Sequence, residues 1–500
     1  MSTSAVAEPE PVPSTRPASL VFNTIVMTAS SAVSFVINTA LAIYAIRTFS
    51  VEEYGHFAIA LALIGIFGVF SETGISTTAL RSMSTDHAGE ANHLGVALVA
   101  EFVTSLVVAP LMLPVGFLLG YPPEVIALLG IGAMYLFFQG FLAALDATFR
   151  ARRVLVFPAL LLALQAVVTA AAGAVLISSG SGPPGLVTAM GLGYAAAGVA
   201  AFVLVRSRLK IPIVLTGTVR KVPSFLRTAL PIAATGGIAI VYERIDLLMV
   251  SKLDSTAAAA IYGVVLTALA VSAILPSIIA PAFFPLLAAG LKEAREQARE
   301  SFFLLWRVFL LLSVPVALFL VFGSDDLVTV VLGDRYQGAG TPLAIVGGSI
   351  VLGFLNYLLW YALLAAYRER RRLVLLAVSL AVNIGLNVVL IPPYGPTGAA
   401  AALVVSDVLI VGWQTGMVHR SVFAVPFRRL FLRPVVAVLA ALAVATPLSA
   451  VATLAAAVAA PCIYAALLML VGYVTREEWR PLIDPLRAFA SRRTLRAGAG

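Results

Sequence analysis

Apolar runs of about 20 residues recur along this chain and constrain its fold more than any other feature. A run of that length spans the hydrocarbon core of a bilayer as a helix, in which every backbone polar group is hydrogen-bonded internally. We identify fourteen such runs, of which the last two are nearly continuous. They cover approximately residues 20–46, 57–75, 94–119, 125–145, 155–177, 185–205, 229–250, 257–279, 302–322, 341–364, 373–391, 397–418, 435–448 and 451–474.

The composition agrees with an integral membrane protein. Of the 500 residues, 61% are hydrophobic and 11% are charged, and the mean hydropathy is +1.01. The single cysteine, Cys462, excludes a disulfide framework within the chain, and no spacing of ligand residues typical of a metal centre occurs. We therefore predict neither a metal site nor a bound cofactor.

Basic residues alternate between the segments that join the apolar runs. If the N-terminus is cytoplasmic, all but four of the 33 Lys and Arg residues fall in cytoplasmic segments. Arg47, Lys252 and Arg335 fall in outer loops, and Arg244 lies within a span. Cytoplasmic loops carry the excess of Lys and Arg, so this distribution predicts that both termini are cytoplasmic. The basic residues do not form one continuous face, which argues against nucleic-acid binding.

An internal repeat relates the two halves of the chain, as in many transporters. Because each copy holds six helices, both copies enter the membrane from the same side, which predicts two similar bundles around an axis along the membrane normal. The matching pairs are Tyr54-Gly55 with Tyr262-Gly263, Phe149–Arg153 with Tyr367–Arg371, and Gln165 with Asn383.

These patterns predict six segments and an all-α polytopic fold of about 14 transmembrane helices. The segments are a disordered cytoplasmic tail (1–18), a first six-helix bundle (19–205), an amphipathic cytoplasmic linker (206–228), a second six-helix bundle (229–418), an interfacial segment with helices 13 and 14 (419–474) and a basic cytoplasmic tail (475–500).

Three charged residues lie in the middle of the seventh apolar run, at Glu243, Arg244 and Asp246. Ionisable groups at this depth are costly, which makes them candidates for a functional site. Glu243 and Asp246 share one helix face, whereas Arg244 points about 100° away from Glu243. The carboxylates are candidates for coupling to a proton or sodium ion, and Arg244 is a candidate for binding a phosphate. The alternative is a structural ion pair between Arg244 and an acid on another helix.

Other polar residues in or near the spans are weaker candidates. Glu72, Glu101 and Asp407 are the acids that Arg244 could pair with, and Glu72 and Asp407 are also candidates for ion coupling. Arg81 lies just beyond the second run, where it either meets a phosphate on the cytoplasmic side or serves as an ordinary basic anchor.

Polar amides and prolines complete the set of candidates. Asn383 and Asn387, four residues apart on one helix face, either contact sugar hydroxyls or hold two helices together. Prolines in or beside the spans free backbone carbonyls and are candidate hinges. The hinge candidates are Pro231, Pro281, Pro285 and Pro315.

Several segments resemble the polysaccharide exporters of the multidrug/oligosaccharidyl-lipid/polysaccharide superfamily, which include the O-antigen and capsule repeat-unit flippases. The clearest is NIGLNVVLIPPYGPTGAAA, which begins at Asn383. Three others agree in order and spacing: VEEYGHFAIALALIGIF from Val51, YERIDLLMVSKL with AIYGVVLTALA between Tyr242 and Ala270, and VLGDRYQGAGTPLAIV from Val331.

The resemblance implies a function. It implies two six-helix bundles plus a terminal helix pair in the bacterial inner membrane, which flip an undecaprenyl-linked oligosaccharide to the outer leaflet by alternating access. The expected partners are this lipid-linked substrate, membrane lipids, and a polysaccharide polymerase or glycosyltransferases. No enzymatic activity is expected.

Three alternatives remain open. A cation-coupled multidrug antiporter of the same superfamily usually has twelve helices and an acidic site, and a lipid II flippase would share the fold. A polytopic glycosyltransferase or polymerase would need a large outer loop, and the longest one here, about 323–340, has room for few catalytic residues.

Overall fold

The computed structural model describes residues 17–366 and 369–474, and every regular element in them is a helix. The predicted tail at 475–500, and residues 1–16 of the predicted tail at 1–18, lie outside them. The α-helices are α1 (Pro17–Thr48), α2 (Val51–Thr85), α3 (Glu90–Leu118), α4 (Pro123–Ala151), α5 (Val156–Ser178), α6 (Gly182–Ser207), α7 (Val222–Leu253), α8 (Thr256–Ser272), α9 (Ile274–Glu293), α10 (Arg295–Leu332), α11 (Gly340–Ala365), α12 (Glu369–Ser421), α13 (Phe427–Ser449) and α14 (Thr453–Leu470). Two short 3₁₀ helices cover Val219–Lys221 and Asp334–Ala339.

The number of membrane crossings depends on how the bent helices are counted. Twelve helices in the described ranges are long and apolar enough to span, and the two halves of α7, bent by 43°, make a thirteenth. Helix α12 has 53 residues and would be about 80 Å long if straight, far more than the roughly 30 Å of a bilayer core. Its backbone turns at Gly395 (φ 55°, ψ −134°), and counting its halves separately gives the predicted fourteen.

Two breaks in the helices have identifiable causes. The predicted eighth span is divided into α8 and α9 at Ala273, because Pro276 cannot donate a hydrogen bond to the carbonyl of Ser272. The bend in α7 lies at Thr235, immediately before the Gly236-Gly237 pair.

The prolines predicted as hinges do not lie at these breaks. Pro231 precedes the bend in α7, Pro281 lies further along α9, and Pro315 lies inside the continuous helix α10. The side chain of Pro285 is outside the described part. Their role as hinges stays a prediction.

The helices pack as two bundles and a terminal pair. In the first bundle, α4 packs against α2, α3 and α6, while α5 packs against α1 and α6. In the second bundle, α11 packs against α8, α9, α10 and α12, while α7 packs against α8 and α12. The terminal pair, α13 and α14, is attached to the second bundle through α10.

The predicted repeat is visible in matching hydrogen bonds. In α5, the side-chain amide of Gln165 donates to the hydroxyl of Thr169 at 3.1 Å. In α12, the amide of Asn387 donates to the amide oxygen of Asn383, also at 3.1 Å. The same sequence offset relates both members of the two pairs, so equivalent positions of the two bundles carry equivalent polar contacts.

The two bundles meet mainly along α2 and α7. A side chain at Gly55 would place its Cβ 2.3 Å from the backbone oxygen of Thr256, and one at Gly74 would lie 2.7 Å from that of Ala229. Small residues therefore let α2 approach α8 closely near its start and α7 closely further along. In the described part, no comparable packing joins α1 to α8, the symmetry-equivalent pair. The contact between bundles is therefore closed on one side and sparse on the other.

Three basic residues, which we call the latch, close one end of the molecule. This end carries the connections α1–α2, α7–α8 and α10–α11. The guanidinium of Arg47 donates to the backbone oxygens of Val330 and Val331 at 2.5 and 2.6 Å, and Arg335 donates to that of Phe49 at 3.1 Å. Lys252 lies over the ring of Tyr121, 3.6 Å from its centre. These are the three residues predicted in outer loops, and each one joins the two bundles. We call the other end, with the connections near residues 86–89, 152–155 and 208–221, the basic end.

Candidate functional site

A cavity of about 480 Å³ lies between α7, α8, α9, α11 and α12, with Phe35 of α1 on its wall. Its charged lining residues are Glu243, Arg244, Asp246 and Asp407. Three of them are neighbours in α7, whereas Asp407 comes from the second half of α12. The structure therefore brings together four of the residues singled out from the sequence.

Asp246 is the centre of a buried polar cluster. Its side chain is 2% exposed, and its two carboxylate oxygens accept hydrogen bonds from the Tyr262 hydroxyl at 2.9 Å and the Asn387 amide at 2.6 Å. Asn383 and Asn387 are fully buried. They therefore lie behind Asp246 and not on the cavity wall. Contact with a sugar in the cavity would require them to lie on that wall.

An amide group of this cluster keeps unused hydrogen-bonding capacity. The side-chain oxygen of Asn387 is buried without a hydrogen-bond partner in the described part of the chain. Carboxylate, amide and phenol oxygens are hard donors of the kind that bind a small cation, and a buried carboxylate can alternatively take up a proton. The donor set of Asp246, Asn383, Asn387 and Tyr262 fits either ion.

Asp407 is held by a tyrosine from α7. The hydroxyl of Tyr242 donates to Asp407 at 3.0 Å, and the Tyr242 side chain is 7% exposed. Because Tyr242 and Asp246 are four residues apart on α7, this face of the helix contacts both halves of α12. A change in the charge or the hydrogen bonds of either carboxylate therefore alters the contact between α7 and α12.

Arg244 points away from these acids, as its position on the helix predicts. It is half-buried and faces α2, with its Nε atom 3.9 Å from where a Cβ on Gly65 would lie. This Nε is buried and has no hydrogen-bond partner among the described residues. A buried N–H group without a hydrogen-bond partner is costly, so this position suits an anionic ligand.

Two of the three acids considered as ion-pair partners of Arg244 have other neighbours in the structure. Asp407 is bonded to Tyr242, and Glu101 accepts a hydrogen bond from Ser105 at 3.2 Å beside Gly140 of α4, away from the cavity. The side chain of Glu72 lies outside the described part.

Two further candidates lie away from the polar cluster. Arg81 is exposed near the basic end of α2, outside the cavity lining. Glu243 lines the cavity, and it also lines a smaller one of about 80 Å³ beside Asn356 and Gln414, whose side chains are hydrogen-bonded to each other at 3.0 Å.

The sequence interpretation missed the two tyrosines that hold the acids. Tyr242 immediately precedes the charged group, and Tyr262 belongs to the Tyr-Gly step of the internal repeat. Both positions were visible as motif residues, but tyrosine within a span is also common as an interfacial residue, so the pattern alone did not assign them to the site.

Comparison with known proteins identifies the family. Residues 45–340 match the profile of a family described as polysaccharide biosynthesis protein, which is more than half of the chain. The chain belongs to this family. The resemblance inferred from the sequence motifs is confirmed. No curated protein matched the chain in sequence.

Solved structures with the same fold include two kinds of membrane protein. The lipid II flippase MurJ in an inward closed conformation matches with a TM-score of 0.72 at 15% identity, over 92% of this chain and 100% of that one. An inward-facing multidrug resistance MATE family transporter of the MOP superfamily matches at 0.66 and 13% identity, over 79% of this chain and 98% of that one. An outward-facing conformation of such a transporter matches at 0.58 and 15%, over 80% and 95%. At these identities the matches show the fold alone. This polysaccharide biosynthesis family member therefore shares its fold with flippases and transporters.

Proposed function

We propose that this protein is a secondary transporter that flips a lipid-linked oligosaccharide of the undecaprenyl type from the inner to the outer leaflet of the bacterial cytoplasmic membrane. The observation that carries the proposal is the half-buried Arg244, whose Nε has no partner in the described part and which lines a cavity inside the helical bundle. A phosphate-bearing lipid headgroup supplies the anion that such a guanidinium binds, through forked charge-assisted hydrogen bonds.

The packing of the bundles supports entry of a lipid-linked substrate from the side. The polar head must leave the hydrocarbon to cross, whereas the lipid tail does not need to. The sparse contact between α1 and α8 lies beside the cavity, which is lined by Phe35 of α1 and by Leu266, Leu269 and Ala270 of α8. A head in the cavity and a tail leaving between α1 and α8 would satisfy both requirements.

The buried cluster around Asp246 supports coupling to an ion. Either a sodium ion or a proton would be held by Asp246, with Asn383, Asn387 and Tyr262 as neighbouring donors. We thus assign the two asparagines to the ion site and not to the sugar. Binding there would alter the contact of α7 with α12, and Arg244 lies on the same helix, so the ion and the phosphate would act on one structural element.

Alternating access also needs an end that closes and reopens. The latch closes one end of the contact between the bundles through hydrogen bonds that depend on their separation. Its three basic residues stand on the side that the positive-inside distribution assigns to the outside. We infer that this closed outer end corresponds to the state that accepts substrate from the cytoplasm.

The loop that an enzyme would need is too short in this chain. Helix α10 extends to Leu332 and α11 begins at Gly340, so residues 323–332 of the expected outer loop are helical. Asp326 accepts a hydrogen bond from Thr453 of the terminal pair at 2.7 Å. These contacts favour a transporter over a glycosyltransferase or polymerase. Arg244 supports an anionic substrate, whereas the three carboxylates that line the same cavity would suit the cations of a multidrug antiporter.

The proposal is tested by following lipid-linked oligosaccharide across vesicles that contain the purified protein. Arg244→Ala should slow flipping by roughly 30- to 150-fold, because a charge-assisted contact to phosphate contributes about 2–3 kcal/mol. The flipping rate of Arg244→Lys should fall between those of the unmodified protein and Arg244→Ala, since lysine keeps the positive charge but cannot form two parallel hydrogen bonds to a phosphate. Arg220→Ala, at an exposed position near the basic end, is the matched control.

Two outcomes would contradict the proposal. One is an Arg244→Ala protein that flips at the rate of the unmodified protein. The other is normal surface polysaccharide in cells that lack the protein, together with increased sensitivity of those cells to cationic drugs, which would favour the antiporter.

A further inference from the structure

A second, larger groove lies at the basic end, away from the central cavity. Its volume is about 1090 Å³, and it lies between the beginning of α10, the beginning of α13 and the residue Tyr473 that follows α14. Its charged lining consists of more arginines than acids. These residues are Glu296, Glu300, Arg299, Arg307, Arg428, Arg429 and Arg433.

The arginines contributed by α10 are already engaged. Arg299 forms an ion pair with Glu296, and Arg307 donates to the backbone oxygen of Tyr473 at 2.9 Å. Arg428, Arg429 and Arg433 of α13 are different, because their side chains are exposed and make no hydrogen bond or ion pair with any residue the structure describes. The groove therefore holds three guanidinium groups that are available to a ligand.

The position of these three arginines on α13 is unfavourable without an anion. They fall in the first two turns of the helix, where the backbone dipole favours negative charge. The first turn contains no acidic residue, and no side chain caps it. Arg429 and Arg433 are also four residues apart, a spacing at which like charges destabilise a helix. A bound anion would remove all three penalties.

The depth of the groove indicates what kind of anion reaches it. Apolar side chains that follow the arginines on the same helix are at least half exposed: Val435 (50%), Val436 (56%) and Leu439 (60%). In a membrane-spanning helix such residues face lipid tails. The arginines directly before them therefore lie at the level of the lipid headgroups.

We propose that this groove is a binding site for the phosphate of an anionic phospholipid. Guanidinium groups match the oxygens of a phosphate diester, and the exposed apolar face of α13 continues the site towards the acyl chains. The bound lipid fastens the terminal pair to α10, the helix that joins this pair to the second bundle. The site is separate from Arg244 and does not depend on the flippase proposal.

The experiment measures retention of fluorescent phosphatidylglycerol by the full-length protein in nanodiscs. Fluorescent phosphatidylcholine is the comparison lipid without net charge. Inorganic phosphate at about 10 mM tests whether a soluble phosphate occupies the same groove. The variant is Arg429→Gln with Arg433→Gln. The matched control is Arg206→Gln with Arg208→Gln, two exposed arginines at the basic end outside the groove.

We expect retention of phosphatidylglycerol to exceed that of phosphatidylcholine and to fall about tenfold or more in the groove variant, since each basic residue at an anionic surface contributes roughly fivefold. The control should stay within about twofold of the unmodified protein on the same scale. Equal retention of both lipids, or unchanged retention in the groove variant, would overturn the proposal.

Two further measurements distinguish a bound phospholipid from other occupants of the groove. Displacement of phosphatidylglycerol by inorganic phosphate alone would identify a site for soluble phosphate and refute a lipid site. Glu477 and Glu478 follow the described part of the chain. If phosphatidylglycerol were retained only after Glu477→Gln with Glu478→Gln, the chain's own acidic residues would be the occupant, which would also refute it.

Discussion

Removing the two arginines of the latch should shift the protein towards a state open at that end. Arg47 and Arg335 act reciprocally, because each caps a helix of the other bundle. Arg47, from α1, donates to two carbonyls in the last turn of α10, and Arg335, just beyond α10, donates to the carbonyl of Phe49 at the end of α1. Carbonyls in the last turn of a helix have no partner within it, so a cation satisfies them and opposes the negative end of the dipole.

The size of the shift follows from these contacts. Hydrogen bonds from a charged donor contribute about 1.5–3 kcal/mol, but exposed pairs contribute about 0.2–1 kcal/mol. Arg47 is exposed and Arg335 is partly buried at its contact, so we take about 1 kcal/mol for each. Removing both should therefore shift the equilibrium about 30-fold, which would raise an open population of about 1% to roughly a quarter.

The assay is a distance measurement between spin labels in nanodiscs. The labels are placed at Ser178→Cys in the first bundle and Gln337→Cys in the second, both exposed at the latch end, in a Cys462→Ser background. The unmodified protein should show one dominant distance. Arg47→Ala with Arg335→Ala should add a longer one, and each single variant should add less of it.

A clear result would refute this account of the latch. The proposed role of the latch is refuted if the double variant keeps the original distance distribution. It is also refuted if the population with the longer distance does not depend on the two arginines. Arg220→Ala, an exposed arginine at the basic end, controls for the second possibility and should leave the distribution unchanged.

Three shorter predictions test the site and the fold. Asp246→Asn should abolish the dependence of flipping on sodium or pH while preserving the fold, and a flipping rate that still follows either ion would remove Asp246 from the ion site. Gly395→Ala should lower the free energy of unfolding by about 1–3 kcal/mol, because φ is 55° and the new Cβ would lie 2.5 Å from Asp254. The control is Gly412→Ala, which should leave the stability unchanged because no heavy atom lies within 4 Å of the new Cβ. Equal melting temperatures for the two variants would contradict this prediction. Gly140→Ala should also lower the melting temperature, because the new Cβ would lie 1.7 Å from the buried carboxylate of Glu101, and an unchanged value would mean that the carboxylate moves freely.

Much of the fold could be predicted because a bilayer imposes a length on each span. The described helices cover all fourteen predicted runs, including the poorly separated last two, which the structure resolves as α13 (Phe427–Ser449) and α14 (Thr453–Leu470). The break before Pro276 was missed, because hydropathy averages over a window and does not register one absent hydrogen bond. Most helices also extend past the predicted runs, since polar residues at their ends lower the hydropathy without ending the helix, whereas α14 is shorter than the predicted run 451–474.

The site could be predicted only in part. The charged group in α7 was recognisable because charge is rare at that depth, and the opposite directions of Arg244 and Asp246 follow from helix geometry alone. The partners were not predictable. Asn387 was expected either to contact a sugar or to hold two helices together, and its bond to Asp246 depends on how α12 is rotated against α7.

The sequence by itself determined the membrane-spanning architecture, the family and the residues whose burial is costly, since these follow from local composition, spacing and motif order. The tertiary structure alone decided which partners those residues have. It placed Asp407 beside Tyr242, left the Nε atom of Arg244 without a hydrogen-bond partner in the described part of the chain, and turned three outer basic residues into a latch. The physical reason is that contacts between helices depend on their rotation and relative position, which are set by packing over the whole bundle and not by any one segment.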